Sequence, residues 1–203
     1  VVFFIHGGAW TDGYAAWYDF VARSFTGEKG WVTVVVDYRL TSDQVFIADE
    51  HCPDRATCAQ PANVAARTKA AWYPDNAQDV AEAFDWVANN IADASGDPSK
   101  LFVFGHSAGG HLAALLATHP AYAGLRSHVR GLIGMSGAYD LNDLSVPTFG
   151  ADLAQTFDPG ETGWEATLAE ASPASYIAPG LRMPPVFLLH AQLIEVLKIP
   201  DDL

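Results

Sequence analysis

The chain has 203 residues, half of them hydrophobic and 17% charged, which suits a globular protein with a real core. Eleven Lys and Arg stand against 24 Asp and Glu, a net charge of −13, and this argues against nucleic acid or an anionic membrane as partner, because phosphate binding needs clustered cations. No apolar run approaches the ~20 residues of a membrane span, and no signal peptide is visible in a chain that opens inside a strand.

Val1 to Ile5 reads as a buried strand. Trp17 to Phe25 carries helical spacing of apolar residues, and Trp31 to Val36 is a Val-rich second strand suited to a parallel sheet. Residues 41 to 72 form a long polar segment with two prolines, of the kind that serves a function or caps a site. Val80, Phe84, Val87 and Ile91 mark one face of an amphipathic helix. Asp97-Pro98-Ser99 turns into the strand Leu101 to Phe104, and a helical run from His111 to Ala117 follows. Val129 to Met135 is the next strand, residues 142 to 172 read as loop plus short helix, and Val186 to Leu189 is the last clear strand. Strands alternating with helices predict a mostly parallel sheet covered on both faces. With no repeat, low-complexity tract or linker, 1–203 is expected to be one α/β domain with a polar insertion at about 41–72.

Gly105-His106-Ser107-Ala108-Gly109 sits between that third expected strand and its helix. This is the G-x-S-x-G nucleophile elbow in its required context, a sharp strand-to-helix turn that exposes a serine hydroxyl. Glycines flank it because side chains there would collide with the neighbouring strand and helix. A second motif, His6-Gly7-Gly8-Ala9-Trp10, follows the first strand. A Gly pair after a buried strand lets backbone N–H groups converge on one point, in acyl transfer the oxyanion of the tetrahedral intermediate. Read alone, it is equally an ordinary tight turn.

Together, and in this order, the motifs resemble those of the α/β-hydrolase fold. Within it, the chain is similar to the serine esterases with an HGG[GA]W oxyanion loop, a group that includes hormone-sensitive-lipase-like carboxylesterases, feruloyl and acetylxylan esterases, and arylformamidases. Asp37-Tyr38-Arg39-Leu40 matches the group's motif after its next strand, and Ser172-Pro173-Ala174-Ser175-Tyr176 with Pro184-Pro185-Val186 to His190 matches a later one. The resemblance implies hydrolysis of a small ester through an acyl-enzyme. Ser107 would be the nucleophile, backbone N–H groups of Gly7, Gly8 and Ala108 the oxyanion hole, and His6 the brace of its loop. No metal or organic cofactor is implied.

The resemblance also implies an acid and a histidine after the serine. Here the pattern departs from the group. The expected Asp position is Ile194, with Glu195 beside it as a candidate acid, and the chain stops at Leu203 before the strand that would precede the histidine. His106 should point away from Ser107, His111 lies one turn on and packs, and His190 ends a strand. His51, His119 and His128 read as loop or surface residues, and Asp140 as structural. The expectation is a chain truncated at both ends, lacking its catalytic His and Asp. The alternative is a degenerate member that binds ligand without turnover. Cys52 and Cys58 form a local disulfide, stay as free thiols, or join His51 at a metal; pairing would place the protein in a secreted or periplasmic compartment. Trp10, Tyr14, Trp17 and Tyr18 either line an aromatic-accepting pocket or pack a helix.

Overall fold

The computed structural model describes residues 1–41, 44–46, 64–66, 71–143, 156–157 and 164–190. Cys52, Cys58, His51, Ile194 and Glu195 lie outside the described residues, so the pairing and acid expectations are not addressed there.

In chain order the elements are β1 (Val2–Ile5), α1 (Asp19–Lys29), β2 (Thr33–Val36), β3 (Gln44–Phe46), β4 (Val64–Ala66), α2 (Asp75–Asn90), β5 (Leu101–His106), α3 (Ala108–Thr118), the one-turn α4 (Ala123–Arg126), β6 (Val129–Met135), α5 (Trp164–Ala171) and β7 (Val186–Leu189). Five strands form a wholly parallel sheet in the order β2-β1-β5-β6-β7. This is the α/β-hydrolase sheet expected. Within the polar segment 41–72, β3 and β4 pair antiparallel, a short element the composition of that segment did not signal.

Alternation along β1 decides which helix covers which face. Phe3 meets Phe84 of α2 edge-on at 5.3 Å between ring centroids. Phe4 points to the other face and meets Tyr18 at 5.2 Å and Phe104 at 5.1 Å, where Phe25 of α1 also packs. Val80, Phe84, Val87 and Ile91 are all buried, as their helical spacing predicts. The helix expected from Trp17 instead begins at Asp19, after a 3-10 turn over Ala15–Tyr18, and none of its residues is fully buried. Every residue of α3 is buried, so the helix after the elbow is the most enclosed in the fold.

Strand order sets the site. From β1 the chain passes outward to β2, while β5, β6 and β7 build the other half of the sheet. The connections leave β1 and β5 in opposite directions, and the crevice at the carboxyl ends of these two strands is the switch point where α/β sheets bind ligands. Ile5 is level with Gly105 in the register, so the loops after β1 and β5 emerge side by side.

At the far edge β7 is exposed along its length, with Val186, Phe187, Leu188 and Leu189 retaining 42–58% of their surface. Among the described residues β7 is one of the sheet's two edge strands, β2 being the other.

Candidate active site

Ser107 has φ 53° and ψ −121°, a region that L-residues rarely occupy. The chain is held there from both sides. The Ser107 N–H donates to the Met135 carbonyl of β6 at 2.8 Å, and the Ser107 carbonyl accepts from His111 N–H at 3.1 Å, starting α3. Glycine is required around it for room. A Cβ on Gly105 would lie 2.1 Å from the Gly109 carbonyl oxygen, and one on Gly109 would lie 2.1 Å from the Ile5 carbonyl oxygen. The motif thus lets β5, α3 and β1 converge at backbone contact.

The loop after β1 lies directly over the serine. A Cβ on Gly7 would stand 2.9 Å from the Ser107 Cβ and 2.9 Å from the His106 carbonyl oxygen. Gly8, Ala9 and Trp10 then run through positive φ at 132°, 49° and 61°. The Gly7 N–H donates to the Tyr18 hydroxyl at 3.3 Å. The N–H groups of Gly8, Ala9 and Ala108 have no acceptor among the described residues. Such first-turn and turn amides are the donors an anion would use.

His6 contacts this loop from its own strand end. Its Nδ1–H donates to the Gly7 carbonyl at 2.8 Å, and its ring stacks on Tyr38 at 4.4 Å. Burial pushes the imidazole below its ordinary pKa, opposed by the Gly7 hydrogen bond and by Asp37, whose carboxylate lies 3.6 Å from Nε2. The motif Asp37-Tyr38-Arg39-Leu40 gains a physical account here. Tyr38 O–H donates to the His6 carbonyl at 3.0 Å, Arg39 pairs with Asp79 of α2 at 2.8 Å, and Leu40 enters the core. Of the four aromatics after the loop, Trp10 and Tyr14 are buried core residues, which answers for packing at those two positions.

The remaining histidines have other engagements. His106 Nδ1 hydrogen-bonds the Tyr18 hydroxyl at 3.2 Å. His111 is fully buried, His119 accepts from Ala121 N–H at 3.1 Å, and His128 and His190 are exposed. Asp140 accepts from the Asn142 backbone N–H at 3.0 Å, a local turn that fits its structural reading. No histidine–carboxylate pair is hydrogen-bonded to Ser107 among the described residues.

The BD-FAE family model matches residues 62–199, more than half of the chain, with the elbow inside the match. The chain belongs to the BD-FAE family. It is 29% identical to the probable carboxylic ester hydrolase LipM of Mycobacterium tuberculosis over 95% of this chain and 40% of that protein. It is 32% identical to the carboxylesterase NlhH of the same species over 73% of this chain and 38% of that one. Among solved structures it resembles an esterase of the archaeon Pyrobaculum calidifontis, with TM-score 0.65 and 25% identity over 92% of this chain and 56% of that one. The chain thus spans about two-fifths of the length of the curated relatives it matches. The fold is that of the α/β-hydrolase esterases.

One contact in this BD-FAE chain escaped the sequence reading. The Trp10 indole N–H donates to His111 Nδ1 at 3.1 Å, and His111 Nε2–H donates to the Ala171 carbonyl at 2.7 Å. The two partners require a neutral ring with its proton on Nε2, since Nδ1 must accept and the carbonyl cannot donate. Burial lowers this histidine from 6.5 to about 4, only partly opposed by the Ala171 carbonyl, and no charged group among the described residues acts on it. The unfolded chain therefore binds a proton below pH 6.5 that the fold refuses until about pH 4. Stability from this site is complete above pH 6.5 and is lost as pH falls from there towards 4, by up to about 3 kcal/mol. Urea unfolding at pH 7 and pH 4.5 is expected to show a smaller pH difference in His111→Asn than in the wild type. An equal difference would contradict the assignment.

Proposed function

We propose that Ser107 is the nucleophile of a serine hydrolase that cleaves small carboxylic esters through an acyl-enzyme. The observation that carries this is the strained backbone of Ser107 with the Gly7 backbone pressed against it at the carboxyl ends of β1 and β5. Curated relatives named as carboxylic ester hydrolases support the same chemistry. Ser107 Oγ attacks the ester carbonyl and loses its proton to a base. The carbonyl oxygen becomes an oxyanion and then expels the alcohol, and water repeats the sequence on the acyl-serine.

The oxyanion pocket is built by Gly7, Gly8 and Ala108. Gly7 contributes its close approach, its N–H being held by Tyr18, while Gly8 and Ala108 supply unclaimed N–H groups. One such donor is typically worth about 2.7–4 kcal/mol of barrier. His6 and Tyr38 support the loop, since loss of their contacts would free the Gly7 and His6 carbonyls respectively. The general base and its carboxylate are not among the described residues that touch Ser107, and Glu195 lies outside those described.

The test is covalent labelling of the full-length protein with a fluorophosphonate probe. The expected result is one adduct on the peptide carrying Ser107, absent from Ser107→Ala. An adduct that persists in the variant would remove Ser107 from the role.

A further inference from the structure

We propose that His111 is a positioning residue for the oxyanion loop: by accepting the Trp10 indole N–H it holds the left-handed Ala9–Trp10 turn, and the amides that precede it, in register with Ser107. The inference rests on the reading of Ser107 as nucleophile.

The geometry couples two motifs 101 residues apart. His111 lies one helical turn beyond Ser107, and its own N–H bonds the Ser107 carbonyl. Its side chain reaches back to Trp10, two residues beyond Gly8. The nucleophile and the anchor of the oxyanion loop thus share the first turn of one enclosed helix, and neither can shift without the other.

The loop needs an anchor. Ala9 and Trp10 occupy left-handed backbone that side chains disfavour, and such strain persists only where the surroundings over-determine it. Three hydrogen bonds converge on Trp10. Its carbonyl accepts from both the N–H and the hydroxyl of Thr41, each at 3.0 Å, and its indole donates to His111. The first two fix the backbone position. Only the third fixes the direction of the side chain relative to α3. Ring packing confines it further, with His111 at 5.2 Å and 88° and Phe157 at 5.2 Å and 78° to the indole.

A purely apolar contact would fill this volume without burying polar atoms. A hydrogen-bonded pair in a dry interior costs desolvation and gives direction in return. His111 is itself aimed by the Ala171 carbonyl at the end of α5, so its Nδ1 lone pair faces the indole. The chain of contacts runs from α5 through His111 and Trp10 to the Gly8 and Ala9 amides.

Two substitutions separate the two bonds of the ring. An Asn amide occupies roughly the place of Nδ1, and a Gln amide roughly that of Nε2. In the full-length protein His111→Asn keeps an acceptor for Trp10, whereas His111→Gln keeps a donor for Ala171 and loses that acceptor. The expected result with a short-chain nitrophenyl ester is a kcat about ten- to a hundredfold lower in His111→Gln with KM little changed, as misplacement of a transition-state donor produces. His111→Asn recovers kcat to within about threefold of the wild type on the same reasoning. Trp10→Phe removes the donor from the other end and matches His111→Gln, and the double variant is no worse than either single one.

A structural readout accompanies the kinetics. The backbone amide resonances of Gly8 and Ala9 move or broaden in His111→Gln and Trp10→Phe, and stay in His111→Asn. If Gln and Asn behave alike in both readouts, the proposal is overturned. If the Gln variant does not fold, Trp10→Phe decides by the same two readouts. If the wild type turns over no ester, the esterase reading fails, and the Gly8 and Ala9 resonances alone decide whether His111 holds the loop.

Discussion

Ser107→Ala is expected to lower the turnover of a short-chain nitrophenyl ester by the full-length protein about 10⁴- to 10⁶-fold, leaving only the residual catalysis of binding and the oxyanion pocket. The chemistry requires an oxygen at that position. The pocket next to it, with the Gly7 backbone pressed on Ser107 and the Gly8 and Ala108 amides unclaimed, has no reacting partner once the hydroxyl is gone. KM should change little, because the hydroxyl contributes to bond making rather than to holding the ester. The fold should tolerate the change, since Ser107 is held through its backbone, donating to Met135 and accepting from His111, and alanine keeps both bonds. Equal melting temperatures with collapsed kcat would confirm the role. Turnover in Ser107→Ala within tenfold of the wild type would show that another nucleophile acts.

The second large effect is on stability. Gly109→Ala is expected to destabilise the fold by more than about 3 kcal/mol, beyond the usual cost of overpacking, because the obstacle is backbone. The new Cβ would stand 2.1 Å from the Ile5 carbonyl oxygen and 2.5 Å from that of His6. Neither can swing aside. Ile5 is paired on both sides within β1, with Val36 and Gly105, and the His6 carbonyl accepts from buried Tyr38. Relief requires α3 to lift away from β1, which also pulls Ser107 from Gly7. Gly27→Ala provides the control. It lies in α1 with open space around its Cβ, and the better helix former should add about 0.5–1 kcal/mol. Urea midpoints of the two variants check both signs. A Gly109→Ala protein as stable as the wild type would mean that the elbow is looser than its geometry implies.

Much of this was legible in the chain because it depends on neighbours in sequence. β6 and β7 coincide with the runs read for them, and β1 differs from its run by one residue, because a strand-length, largely apolar stretch bounded by turn residues is a local signal. The elbow was legible because a strand, a sharp turn at Ser107 and a helix are contiguous within one five-residue motif, whose glycines leave room for that turn. The start of α1 was not legible. Trp17 and Tyr18 fit a helix by spacing, yet Tyr18 is drawn into a 3-10 turn, where its hydroxyl reaches the Gly7 N–H and His106. β3 and β4 were missed because three-residue strands in a polar stretch carry no periodicity that can be counted.

Sequence by itself determined the parallel α/β sheet, the sharp turn at Ser107 and the glycine loop laid beside it, since each follows from local steric demands of glycine, serine and apolar strands. The tertiary structure alone decided which polar atoms near the site are already engaged. That Tyr18 holds the Gly7 amide, that Tyr38 holds the His6 carbonyl, and that a neutral His111 holds Trp10 are facts about groups 11 to 101 residues apart. Hydrogen bonds at such separations are selected by how the sheet and helices pack, because a donor's residue type says what it can bond and only its placement says what it does.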